Sequence, residues 1–237
     1  MICISCGFEH NEKFCPNCGE KSDVPKITFI STIQTSLSTL VEMDKGFLYN
    51  LKNLTLRPKV TIEKYISGKR KGIFNPISFL IISVTVYLLI ESFFKTKNFA
   101  SKEAVDLVRD DFSYKIGASG GRFIYDYFKY FWIFTVIPLS LITKLFFKRF
   151  NFAEHITINS FILGQVTLII GSLSFAIFRF AILFNPFVYL GLIWLLSRTF
   201  YNPKNKSDSV IKAFTTIFFF MFFLFISITL IGLIRLI

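Results

Sequence analysis

From residue 76 onward the chain is dominated by apolar runs long enough to cross a bilayer, and this excludes a single water-soluble globule. A hydrocarbon core about 30 Å thick is crossed by about 20 helical residues. Five runs approach that length: Pro76 to Phe94, Tyr127 to Phe147, Ile156 to Phe178, Asn185 to Leu196 with flanking turns, and Ala213 to Ile234. Lipid offers no partner to a bare backbone, so spans of this kind must be helices. The expected fold is therefore an all-α membrane protein, a bundle of about five transmembrane helices over residues 76–237. Pro186 breaks the apolar run between Phe178 and Tyr189. Residues 156–200 are thus either two spans with a tight turn or one span and a re-entrant segment.

The chain carries a formal charge of +12, a balance that often marks nucleic-acid binding. Here the Lys and Arg residues cluster beside the apolar runs, which points to anionic lipid headgroups and to membrane orientation instead. The densest cluster is the turn Ser67-Gly68-Lys69-Arg70-Lys71-Gly72, with Arg57, Lys59 and Lys64 upstream. Lys69, Arg70 and Lys71 are the expected contacts to headgroups or to a partner's acidic groups. Met1-Ile2-Cys3 opens no basic segment followed by an apolar core, so the first residues are expected to stay in the cytosol. Lys and Arg around 144–149 and 198–212 then place those loops inside, and five crossings put the C-terminus, Arg235-Leu236-Ile237, in the periplasm of a bacterial inner membrane. The loop from Lys95 to Asp126 faces outward in this arrangement. Within it Ala100, Ala104, Val108 and Phe112 repeat at helical spacing.

All four cysteines lie ahead of the apolar runs, as Cys3-x-x-Cys6 and Cys15-x-x-Cys18. Two such pairs can close a tetrahedral thiolate cage, with zinc the usual occupant and iron the alternative. Gly7 and Gly19 directly follow the second Cys of each pair, where positive φ turns backbone N–H groups toward sulfur. Residues 1–22 are thus expected to be a structural zinc ribbon. His10 lies between the pairs, but four thiolates already complete the shell.

Residues 23–75 read as an amphipathic juxtamembrane collar. Ile27, Ile30, Ile33, Leu37, Leu40 and Val41 recur at helical spacing among polar residues, and a second stretch from Phe47 to Ile66 is interrupted at Arg57-Pro58. Among the spans, Gly164, Thr167, Gly171 and Ser174 form a small-residue stripe suited to close helix packing, against another span or another copy in a homo-oligomer. Gln165 lies beside it, and Pro138 is placed to kink the second span. Glu91, Lys144 and Arg179 sit near span ends, with Glu91 and Arg179 on one side as a candidate clasp. The midplane is nearly free of charge, which disfavours ion-coupled transport. With only two histidines, neither a nucleophile–base pair nor a histidine metal site can be assembled; Glu154-His155 reads as an interfacial helix start.

The order Gly46-Phe47, Arg57-Pro58, Tyr65-Ile66-Ser67-Gly68-Lys69-Arg70 and Asn75-Pro76-Ile77-Ser78-Phe79 resembles a bacterial membrane family common in Bacteroidota, domain of unknown function 3667. The resemblance covers about residues 40 to 80 and departs from the expected pattern at Lys59. It carries over no catalytic residues. The span count and cytosolic N-terminal region also resemble Yip-type membrane proteins at the level of architecture. Taken together, these features suggest a membrane scaffold or adaptor that uses its zinc ribbon to engage a protein partner. A transporter or channel subunit, or a lipid-handling protein, is the alternative.

Overall fold

The computed structural model describes residues 1–22, 28, 46–95, 127, 129–203 and 205–234. The amphipathic stretch from Lys26 to Val41, the helical spacing from Ala100 to Phe112 and the C-terminal Arg235-Leu236-Ile237 lie outside the described residues, apart from Thr28.

The described residues are helical except for the N-terminal knuckle and the connections. Helices α1 (Gly46–Leu56) and α2 (Pro58–Ile66) form the collar, and α3 (Pro76–Lys95) follows. A helical turn, Lys129–Phe131, and a 3-10 segment, Trp132–Thr135, lead into α4 (Val136–Phe146). Pro138 explains the tight entry: it has no N–H to give the Phe134 carbonyl, so the α-ladder cannot extend backward through that position. Next, α5 (Phe152–Val166) continues through a π-turn, Thr167–Gly171, into α6 (Ser172–Phe178). A 3-10 turn, Ile182–Phe184, precedes α7 (Pro186–Thr199), and α8 (Lys206–Ile234) completes the bundle.

Among the described residues, three helical stretches are long and apolar enough to cross a membrane: Pro76–Phe94, Phe152–Phe178 and Ser207–Ile231. The other two apolar runs form shorter helices. Trp132–Phe146 is one, and the 14-residue α7 extends only about 21 Å at 1.5 Å per residue. Pro186 occupies the first turn of α7, and the Asn185 side chain accepts from Phe187 N–H, so the break at Pro186 is a capped helix start.

The bundle is organised around α5, in which every residue from His155 to Val166 is buried. A helix enclosed on all faces must be the centre of its bundle. Cross-helix contacts give the directions. Phe161 lies against Phe79, Gly171 beside Tyr87, and Arg179 over the Phe94 ring, so α3 and α5–α6 run parallel. Phe147 meets His155, Ser140 meets Asn159, and Trp132 meets Thr167, so α4 runs antiparallel to α5. The guanidinium of Arg179 sits 4.6 Å from the Phe94 centroid and caps α6 in the left-handed region at φ 61°, stacking on an aromatic face one turn beyond Glu91.

The small-residue stripe is buried within this chain. Gly164 lets α5 approach α3 so closely that a Cβ there would lie 2.9 Å from the Phe79 ring and 3.2 Å from the Leu80 Cα. Thr167 accepts from the Trp132 indole at 2.9 Å, Gly171 faces Tyr87 and Ile182, and Ser174 meets Asn185. The collar shares the same core: Leu54, Ile62, Tyr65, Ile73 and Phe74 are buried in it, and Gln165 on α5 reaches α1 through the Leu51 carbonyl and Thr55 Oγ1.

Gly164→Ala should destabilise the bundle by about 1–3 kcal/mol, because the new methyl meets a buried ring and a helix backbone. Gly171→Ala, where a Cβ has ordinary contacts at 3.6–3.7 Å, should be neutral or slightly stabilising. Thermal melting of both variants in detergent checks the difference.

Candidate metal centre and its docking turn

The four thiols converge at the N-terminus. All four Sγ atoms lie within 4.8 Å of one another, with Cys3 to Cys18 and Cys6 to Cys15 at 3.5 Å. The cysteines are free thiols, not disulfides. A tetrahedral site with metal–sulfur bonds of about 2.3 Å has sulfur–sulfur edges of roughly 3.8 Å, so this arrangement can hold a metal ion.

Two copies of one local fold build the cluster. Cys3 N–H donates to Phe8 O and Gly7 N–H to Cys3 O; twelve residues later Cys15 N–H donates to Glu20 O and Gly19 N–H to Cys15 O. The bridges Ile2–Glu9 and Phe14–Lys21 keep the same offset. Gly7 and Gly19 take φ of 77° and 69°, the left-handed turn expected from their places after Cys6 and Cys18. In each copy the turn sends a backbone N–H toward sulfur: Phe8 to Cys6, pulling its thiol down to about 6, and Glu20 to Cys18. The Cys6 N–H likewise lowers Cys3. At Cys18 the Glu20 N–H is outweighed by burial and by the Cys3, Cys6 and Cys15 thiols, which push it up to about 12. Four adjacent thiols cannot all ionise without a cation among them. His10 is not among the clustered donors; its backbone N–H donates to Met1 O.

The knuckle docks on the basic turn. Lys69 Nζ donates to Ser5 O at 3.0 Å, Lys71 N–H donates to the buried Glu20 carboxylate at 3.1 Å, and the Lys71 side chain lies against Gly19. Arg70 points the other way, its guanidinium 5.7 Å from the Tyr65 centroid. Tyr65 is pushed up to about 12 by burial, opposed by the Arg70 charge, and packs edge-on against Phe161 of α5. The three basic residues thus link knuckle, collar and bundle.

Helix-end chemistry fixes this turn. Gly68 N–H donates to Tyr65 O and Lys69 N–H to Lys64 O, with Gly68 at φ 107°: a Schellman cap ending α2. Seven residues on, Asn75 Oδ1 accepts from Ile77 and Ser78 N–H and Pro76 takes the first helical position of α3. Between them the buried Asn50 amide clamps Phe74, donating to its carbonyl at 3.0 Å and accepting its N–H at 3.2 Å. The sequence shows Gly68 and Asn75 as turn residues; nothing in spacing marks Asn50 or Glu20 as partners across 24 and 51 positions.

Gly68→Ala should cost about 1–2 kcal/mol through the left-handed position it must occupy, read as a lower melting temperature together with faster proteolysis around residues 67–72.

No curated protein and no solved structure matches the chain. Residues 44–88 match the family model described as protein of unknown function (DUF3667), a match that includes neither the cysteine pairs nor the helices after α3. The matched residues take in α1, α2, the glycine cap and the capped opening of α3.

Proposed function

We propose that the protein is a multi-pass inner-membrane scaffold whose N-terminal knuckle is a structural zinc ribbon presented to a protein partner on the cytosolic side. The observation that carries this reading is the knuckle itself, a metal-competent thiol cluster lashed to the bundle while its outer surface stays apolar. Ile4, Phe8 and Phe14 are 53%, 47% and 58% exposed. A fold of this size buries little core of its own, so it relies on a metal for order, and exposed aromatic side chains suit a protein interface.

The alternation of α3, α4, α5–α6, α7 and α8 supports five membrane passages, with α4 and α7 completed by local thinning or by flanking connections. Zinc is the usual occupant of a closed structural four-thiolate site, with iron the alternative. Lys69 and Lys71 hold the ribbon in place. Arg57, Lys64 and Arg70 lie close by, where anionic headgroups attract Lys and Arg by about 1 kcal/mol each.

Two outcomes test the reading. Full-length protein purified in detergent should carry about one zinc per chain, and Cys15→Ser should lose it with little change in bundle melting; wild-type zinc content in that variant would exclude the assignment. A photo-crosslinking residue at position 14 should give a discrete adduct in membranes that disappears in the Cys15→Ser background. An adduct unchanged by that substitution, or none at all, would remove the adaptor role.

A further inference from the structure

At the collar end of the bundle, the α4–α5 and α7–α8 connections enclose a cavity of about 370 Å³. That volume lies within the range of small-ligand sites. Its charge is one-sided: among the described residues, Lys59, Lys148, Arg149 and Lys212 line it against one carboxylate, Asp208. The floor is aromatic, with Phe147 and Phe200 stacked at 4.0 Å and 11°.

The cations are held in different ways. Lys59 donates to the Tyr201 carbonyl at 2.7 Å, tying α2 to the start of the α7–α8 connection. Lys212 pairs with Asp208 at 2.7 Å, and Arg149 with Glu63 at 2.9 Å through one guanidinium nitrogen, with its side chain 68% exposed. Lys148 has no carboxylate within ion-pair distance among the described residues. The wall also holds Thr199, only 6% exposed, whose hydroxyl finds no hydrogen-bond partner among the described residues. That hydroxyl is sealed beneath the wall, so recognition in the cavity falls to its cations.

Depth narrows the ligand. The Phe152–Phe178 stretch of 27 residues is about 40 Å long, some 10 Å more than a hydrocarbon core. The first turn of α5 and the connections beside it therefore reach headgroup depth. Tyr201 in the wall and Trp194 under Arg198 suit that interface.

We propose that this cavity binds a phosphate-bearing anion, either the headgroup of an anionic lipid or a free phosphate. Lys148, Arg149 and Lys212 supply charge. Carbonyl-bound Lys59 closes the side toward the collar. The inference is independent of the ribbon and its metal.

The test uses full-length protein in non-ionic detergent, titrated with dihexanoyl phosphatidic acid, with inorganic phosphate, and with dihexanoyl phosphatidylcholine as control, binding being read by native mass spectrometry. Saturable binding of the lipid or of inorganic phosphate, exceeding that of phosphatidylcholine, is expected, and the arm that saturates names the source. Lys148→Gln should weaken it about tenfold, as loss of a charge-assisted hydrogen bond does. Lys212→Gln, at a partly exposed ion pair, should weaken binding by a similar factor without lowering the melting temperature. Absence of saturable binding in both phosphate arms, or equal affinity in wild type and both variants, overturns the proposal.

Discussion

The burial of α5 on every side from His155 to Val166 governs the rest of the molecule. A helix enclosed on every side has no solvent for its polar groups, and α5 carries several: His155, Asn159 and Gln165 are all buried. Between them they draw α4 and α1 inward. His155 Nε2 bonds the Phe147 carbonyl at the end of α4, Asn159 Nδ2 donates to Ser140 and Thr143 in mid-α4, and Gln165 reaches Leu51 and Thr55 on α1. Such bonds across helices contribute only about 1 kcal/mol apiece in an apolar medium. Their larger effect is on register, because sliding a neighbour by one turn would leave a buried polar atom unpaired at greater cost.

The same accounting explains why the DUF3667 segment has the residues it has. Between Leu56 and Pro76 the chain ends one helix, starts and ends a second, and starts a third, all beside a core where bare N–H and C=O groups are expensive. Pro58 removes an N–H that would be orphaned, Gly68 closes α2 by the Schellman bonds, and Asn75 with Pro76 opens α3. Asn50 then accounts for the Phe74 peptide, and Gly46 permits close approach to the Phe74 N–H. What reads as a motif is a set of solutions for helix ends packed against a bundle.

This also separates what the sequence makes legible from what it does not. Turn chemistry is local, so the break at Arg57-Pro58, the left-handed glycines after Cys6 and Cys18, and the Asn151-x-x-Glu154 helix start, here a capping box, are readable from neighbours alone. Cysteine spacing is local in the same sense, and the thiols do converge. Helix length is harder. The apolar run from Tyr127 extends through a 3-10 segment before α4, so hydropathy overstates that helix, whereas α7 continues to Thr199, past the Leu196 at which its apolar run stops. Partners are harder still. Lys69 and Lys71 look like free membrane-facing cations until the fold brings Ser5 O to the Lys69 ammonium, Gly19 to the Lys71 side chain and Glu20 to the Lys71 backbone N–H. The cavity cations at Lys59, Lys148, Arg149 and Lys212 come from three separate stretches that no spacing rule joins.

The energies of the knuckle's two attachments differ in kind. A metal in a four-thiolate site contributes roughly 10–16 kcal/mol to folding of so small a unit. The hydrogen bonds from Lys69 to Ser5 and from Lys71 to Glu20 are partly exposed, worth about 0.5–1.5 kcal/mol for a neutral acceptor and about 1.5–3 for a charged one. A metal held by the four thiols would therefore outweigh both docking bonds in ordering the knuckle. The basic turn itself is fixed from the other side, because Arg70 lies over Tyr65 and Tyr65 lies against Phe161, inside the core that α5 organises.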